Sequence, residues 1–477
     1  MKRTIAFLTL LALVALPASV MAAKTGDFEL GGYIKLHTWW DSTDDLNKNI
    51  SSKGNRNNVF GAANQGKFRM TSQDTRFNFK IKGPEVWGAK TQGYIEVDFD
   101  GSGQDPEATV TYAVQPRLRH AWFRFDWPGG WQVLMGQYWG VFCNYWPDTV
   151  NSGPLFGHGM PTQRLPQIRV TYKTGPWTFI GLAGIPNDGT DNPVGPQVNV
   201  NGVPWLQGTG PFEGGRTTMP QFGMQLIFEK DLYGKAAFFS RPRGFSASVS
   251  FGIQRTRYDA GSVVANTWGQ NNFGTTLGFI QNTQYETPWC VQASMFIPVL
   301  TTQTADLKGT ASLQVQFYVG QGLRAFGNDF LGGSNSYWTF DTIANSAGGF
   351  NDVPVYDRKL MQRYGGYIQG QYYINNEWYV SYLYGFSKAY GVSRDRNAAL
   401  VTGANPDGYE YAGGDPIKMI QEHNVSLFYR PIKNFKFGLS YVYLNQNWFQ
   451  QTSYYDSARP TARGDVHRVQ FAGWFFF

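Results

Sequence analysis

The sequence predicts an all-β fold, a transmembrane antiparallel β-barrel of about sixteen strands, with short periplasmic turns and long external loops. Three observations point there. Apolar and polar residues alternate in short segments along most of the chain, so mean hydropathy is only −0.35 although Phe, Trp and Tyr make up 17% of the residues. Tight turns and long polar loops take turns in joining these segments. The chain ends in VHRVQFAGWFFF, an aromatic strand with a terminal Phe, whose edge would template aggregation unless another strand closed on it.

The opening stretch MKRTIAFLTLLALVALPASVMAA joins a basic start, an apolar run and small residues at Ala22 and Ala23. Residues 1–23 are therefore expected to be a cleaved signal peptide, and 24–477 one barrel domain. The first strand pattern, Phe28 to Trp40, sets Phe28, Leu30, Ile34 and Leu36 against Glu29, Tyr33, Lys35 and His37, one face for lipid and one for water. The polar stretch Asp41 to Gln65 follows as a loop. Thr75, Phe77, Phe79 and Ile81 then alternate with Arg76, Asn78, Lys80 and Lys82, GPEVWGAK turns the chain, and Thr91, Ile95, Val97 and Phe99 oppose Lys90, Gln92, Tyr94, Glu96 and Asp98.

The rhythm continues near Arg117 to Trp127, Trp131 to Phe142, Gln167 to Lys173, Trp177 to Ala183 and Gln221 to Glu229. It goes on near Phe245 to Gln254, Cys290 to Ile297, Ala311 to Val319, Tyr364 to Tyr372, Trp378 to Phe386, Val425 to Arg430, Phe435 to Tyr443 and Val466 to Phe477. In the last of these Val469, Phe471, Phe475 and Phe477 share the lipid face. The stretch Lys230 to Arg243 fits the rhythm least well. With no repeat period or linker to divide it, the chain is expected to be a single domain.

Composition excludes several function classes. The 41 basic and 34 acidic residues give a net charge of +7, and loss of Lys2 and Arg3 with the leader leaves 39 against 34, or +5. That mild excess contains no basic run, so nucleic acid is not expected as a partner. His37, His120, His158, His423 and His467 are scattered without ligand spacing, so neither a metal nor a cofactor is expected. Nor do they form a constellation with a nucleophile and an orienting group, so the chain is not expected to be an enzyme. Cys143 and Cys290 are the only cysteines, and two free thiols are expected.

The stretch Gly136 to Lys173, GQYWGVFCNYWPDTVNSGPLFGHGMPTQRLPQIRVTYK, joins two strand patterns through a loop rich in Trp, Tyr, Phe and Pro. Its composition argues against disorder, and inside a wet barrel such a loop can fold inward, pack on the wall and narrow the channel. Tyr138, Trp146, Phe156 and His158 are its candidate residues. Tyr138 and Trp146 are expected to pack the loop on the wall; a sugar-stacking slide is the alternative. The candidate lining residues of the wall and loop are Lys35, Arg76, Lys80, Glu96, Asp98, Arg119, Asp148, Arg169, Arg363 and Arg468. Lys35, Arg76, Arg169, Arg363 and Arg468 fall at similar depth and make a basic wall. Asp148 stands opposite on the loop, Glu96 and Asp98 lie on a neighbouring strand, and the face of Arg119 is ambiguous. Such a separation sets a transverse field that favours anions. The alternative for each arginine is a cross-strand pair, such as Arg76 with Glu96 or Asp98, that serves the wall alone.

The motifs LRHAWFRF (Leu118 to Phe125), VLMGQYWGVF (Val133 to Phe142) and RLPQIRVTY (Arg164 to Tyr172) resemble the DcaP-like family of trimeric porins. GQYWGVF followed by PDTVNSGPLFG also looks like the passage from strand to constriction loop in general diffusion porins, where the third external loop enters the pore; by count this too is the third. The resemblance implies an outer-membrane porin, a passive channel for small hydrophilic solutes with a mild anion and carboxylate preference. The implied partners are outer-membrane lipids, the barrel assembly machinery, small anionic or neutral solutes and two further copies of the chain. DcaP-like porins often carry a coiled-coil segment before the barrel. Here the first strand pattern follows the leader directly, so a trimer is expected to rest on contact between barrels. A non-conducting structural or adhesin-type barrel is the alternative, suggested by the Gly/Asn-rich loops near Asn187 to Arg216 and Leu323 to Lys359.

Overall fold

A computed structural model describes residues 27–43, 66–101, 114–151, 153, 159–186, 199–200, 203–204, 219–265, 277–327, 336–343, 353–390, 417–448 and 463–477. The leader and two of the loop candidates, Phe156 and His158, lie outside the described residues. The wall strands are β1 (Phe28–Asp41), β2 (Lys67–Thr71 and Arg76–Lys82), β3 (Lys90–Asp98), β4 (Arg117–Asp126), β5 (Trp131–Trp139), β6 (Arg164–Thr174), β7 (Trp177–Gly184) and β8 (Gln221–Lys230). They continue as β9 (Phe245–Ile253), β10 (Trp289–Leu300), β11 (Ala311–Gln321), β12 (Gln362–Tyr373), β13 (Trp378–Tyr390), β14 (Ile417–Ile432), β15 (Phe435–Trp448) and β16 (Arg463–Phe476). Each is antiparallel to its neighbours and β16 closes on β1, from Tyr33 opposite Phe476 to Asp41 opposite Arg468. Closure removes the edge that the aromatic last strand would otherwise expose.

Period-two alternation decides the two faces. On β1, Leu30, Ile34 and Leu36 point outward and are exposed, while Lys35 and His37 are buried inside; on β16, Val469, Phe471, Phe475 and Phe477 point outward. The seam between first and last strands extends to the chain terminus, where Phe477 and Gly32 exchange backbone hydrogen bonds of 3.2 and 3.3 Å. Gly32 has φ 150°, and a Cβ there would lie 2.1 Å from the carbonyl oxygen of Arg76, so β2 can approach β1 only at glycine.

Three local departures from the sequence expectation bear on the interior. First, β2 is broken: residues 72–75 leave the wall, and Thr75, expected on the lipid face, is buried with its Oγ1 accepting from the Lys35 N–H at 3.2 Å. Second, β5 ends at Trp139 rather than Phe142, because Val141 and Phe142 turn into an interior apolar cluster. Third, within Lys230 to Arg243, the stretch that fits the rhythm least well, Ala236–Phe238 and Arg241–Arg243 form a hairpin.

The connections at one rim are short, as at 127–130, 175–176 and 433–434, and those at the other are long, as at 140–163 and 391–416. Segment 140–163, here called L3, is the third of the long ones. A small cluster of the L3 residue Met160 with Tyr367 and Leu383 sits inside the barrel, and two larger ones do too. One gathers Val141, Phe142, Leu182, Cys290, Tyr318, Leu323, Ala325 and Phe326. The other gathers Val150, Ala237, Leu307, Tyr373, Tyr379, Phe428, Ala472 and Trp474. Both contain L3 residues, so the described part of the third long loop lies within the barrel. Cys143 and Cys290 are not joined by a disulfide.

Candidate functional site

The first part of L3, 140–151, runs across the inside against β8 to β15 and reaches β1 at Val150, and Met160 lies beside Tyr367 and Leu383. A loop backbone drawn into an interior brings N–H and C=O groups that need partners, and this side of the wall supplies neutral amides and hydroxyls at alternate positions. Gln225 Nε2 donates to the Val141 carbonyl, as does Ser250 Oγ at 2.8 Å, and Gln292 Nε2 donates to the Phe142 carbonyl at 2.9 Å. Asn144 bonds Ser248 and Tyr145 bonds Ser246, while the Tyr367 hydroxyl donates to the Tyr145 carbonyl at 2.7 Å. Gln369 binds both polar groups of one peptide residue: its Oε1 accepts from the Asp148 N–H at 3.0 Å, and its Nε2 donates to the Asp148 carbonyl at 2.8 Å.

Charge pairs fix the far end of the loop. The Asp148 carboxylate accepts from Lys436 Nζ at 2.6 Å and from the Tyr379 hydroxyl at 2.7 Å. Lys35 Nζ reaches the Val150 carbonyl at 2.9 Å and Asp74 at 3.0 Å, the latter placed by the break in β2. Near its start the loop holds Cys143, whose thiol burial pushes up to about 11. Trp146 packs on Trp139, with ring centroids 5.4 Å apart.

The facing arc, β2 to β6, is charged. Arg119 bonds Glu96 and Asp98 at 2.7 Å each, Arg117 bonds Asp98 at 2.7 Å and Asp100 at 2.9 Å, and Arg76 lies 3.5 Å from Glu96. A β-bulge opposite Glu96 and Val97 adds Arg119 to the register, and Arg119 and the following His120 are both buried, which resolves the face of Arg119. Arg164 and Arg169 complete the tract from β6. Arg164 lies over the Trp139 ring at 5.0 Å, and Arg169 lies over Tyr138 at 5.1 Å with its Nε donating to Gln167 Oε1 at 3.1 Å. Among the described residues neither forms an ion pair with a carboxylate. Five guanidinium groups (76, 117, 119, 164, 169) thus share three carboxylates (96, 98, 100), an excess of two positive charges.

The other candidates are distributed differently. Lys80 is exposed toward the short-turn rim in a 3.2 Å pair with Glu29. Arg468 is fully buried, bound to Asp41 at 2.6 and 2.8 Å and lying over Trp39. Arg363 is buried and donates to the Met361 sulfur at 3.1 Å. Glu96 and Asp98 sit among the arginines, and Asp148 faces Lys436, so these charges are paired locally. Sequence reasoning missed Arg117, Arg164 and the Gln/Ser wall. The last had a signal, the strings Ser246-x-Ser248-x-Ser250, Gln314-x-Gln316 and Gln369-x-Gln371, in which neutral side chains that accept and donate hold every inward position. Among the described residues no group of three or more His, Cys, Asp or Glu could hold a metal ion.

Neither a protein-family model nor a curated protein matches the chain. Solved structures do. The outer-membrane channel DcaP of Acinetobacter baumannii is similar at a TM-score of 0.56 and 16% identity, over 96% of this chain and 99% of that one. The anion-selective porin from Comamonas acidovorans follows at a TM-score of 0.50 and 8% identity, over 94% of this chain and 99% of that one. These likenesses establish a DcaP-like porin fold.

Proposed function

We propose that the protein is an outer-membrane porin, a passive diffusion channel for small hydrophilic solutes that prefers anions, carboxylates among them. The observation that carries this reading is the pair of guanidinium groups, Arg164 and Arg169, that among the described residues lie over aromatic rings and have no carboxylate partner. On this reading the solute path runs between L3 and β2 to β5, past Arg76, with the buried Arg119 and Arg169 acting through their field and Glu96 and Asp98 moderating the charge. Porin-fold neighbours described as an outer-membrane channel and as anion-selective support it. No step of such transport needs a nucleophile, a metal or a cofactor.

The same reading takes residues 1–23 as an export signal, the assembly machinery as the receptor of the last strand, and the outer membrane as the destination. It takes a homotrimer, held by barrel contact, as the working form, to be measured by crosslinking of native membranes. Planar-bilayer recording of the folded protein tests the channel: stepwise current with anion preference is expected. A structural or adhesin-type barrel is the second reading, favoured by the two apolar clusters inside the wall. Folded protein without conductance would select it.

A further inference from the structure

We infer that the hairpin between β8 and β9 is an internal strut that props L3 from the short-turn rim and closes that half of the barrel, so that it sets the width of the path jointly with L3. The inference rests on the channel reading for its consequence and on packing for its geometry. At this rim two to four residues suffice at 127–130, 175–176, 374–377 and 433–434, whereas 231–244 is longer than any other connection there and folds back into the barrel, burying Ala236 and Ala237 almost completely. Its tip, Phe239 and Ser240, takes left-handed φ values of 47° and 57°, which suits a two-residue hairpin turn but is unfavourable for a bulky Phe. Such a conformation persists where surrounding contacts over-determine it. Here they do: the Ser240 N–H donates to the Tyr373 hydroxyl at 3.0 Å, Ser312 Oγ donates to the Ala237 carbonyl at 3.0 Å, and Lys235 bridges Thr302.

Three routes lead from the hairpin to L3. The Arg243 guanidinium lies over Phe238 at 4.7 Å and Phe296 at 5.8 Å, and over Tyr145 of L3 at 5.0 Å, so one cation joins hairpin, wall and loop. Tyr373, which receives the hairpin tip, stacks on Tyr379 at 4.4 Å, and Tyr379 donates to the Asp148 carboxylate. Ala237 and Val150 share one apolar cluster. L3 is thereby supported at Tyr145, Asp148 and Val150 from an element far from it in the chain. Glu229 anchors Arg243 from β8 at 3.2 Å.

The test pairs single-channel conductance with the maleimide alkylation rate of Cys143, read by mass spectrometry of its peptide, in folded full-length protein. Arg243→Ala is expected to raise conductance by about one half and to speed alkylation by about ten-fold, while Arg243→Lys, which keeps a cation over the rings, stays near the parent. Parent-like conductance and alkylation in folded Arg243→Ala would overturn the strut and leave the channel standing. A parent without current, in which Arg243→Ala still speeds alkylation of the half-buried Cys143, overturns the channel reading and upholds the strut. If Arg243→Ala does not fold, Tyr373→Phe removes the one hydroxyl that receives the hairpin tip: faster Cys143 alkylation supports the strut, and an unchanged rate overturns it.

Discussion

Arg164 and Arg169 differ from the other arginines of their arc in having ring faces and amide oxygen for company where Arg76, Arg117 and Arg119 have carboxylates. A unit charge about 8 Å from a passing anion contributes roughly 2 kcal/mol at an effective dielectric near 20, against about 0.5 kcal/mol in bulk water. Replacing both by Ala should lower the anion-to-cation permeability ratio by about ten-fold, read as a shift in reversal potential. Lys80→Ala, at an exposed rim where salt screens the charge, should leave that ratio unchanged. A second residue-scale prediction concerns Asp148. Its replacement by Ala leaves Lys436 buried without its carboxylate and should destabilise the folded barrel by about 3–5 kcal/mol in urea titration, because the loss of one partner strands the other charge. The inward facing of Lys35 and Arg468 was legible in the alternation of their strands. Their partners were not: Asp74 reaches Lys35 only through the break at 72–75, and Asp41 meets Arg468 only because first and last strands close on each other. Periodicity assigns a face, and pairing needs register.

At the scale of elements, the loop and the last strand carry the strongest expectations. Excising residues 146–159 removes the part of L3 that Gln369, Lys436 and Lys35 hold, and should raise single-channel conductance by about two-fold. Parent-like current in that variant would place the solute path away from L3. Deleting Phe477 removes the backbone pair with Gly32 and an outward aromatic at the barrel seam, and should reduce surface accumulation while export to the periplasm continues. The strands and the inward loop were readable because alternation and aromatic density survive in any register. The hairpin at 236–243 was not, since AAFFSRPRG has neither strand alternation nor a Gly-containing turn pair, and tertiary contacts, those with Tyr373, Phe296 and Ser312 among them, fix its shape. The β4 bulge was equally hidden: one extra residue at Arg119 shifts the inward set without any mark in composition.

The whole molecule divides its interior by chemistry. One arc of the wall, Gln- and Ser-rich, binds a folded loop backbone and apolar clusters; the other, Arg-rich with carboxylates in deficit, meets the described part of that loop through Trp146 on Trp139. An even-stranded closed wall of this size encloses more space than its own side chains fill, and the loop and strut take up the neutral half. The account therefore expects a single off-centre path per barrel, whose selectivity weakens as salt rises because the net charge of the arginine tract is screened over about 10 Å at 0.1 M. Its central claim is most directly tested by the zero-current potential of the folded, full-length protein in a planar bilayer under a potassium chloride gradient. The account predicts stepwise conductance and a potential whose sign reports chloride as the more permeant ion. Silence in the bilayer, or a potential of the opposite sign, would contradict it.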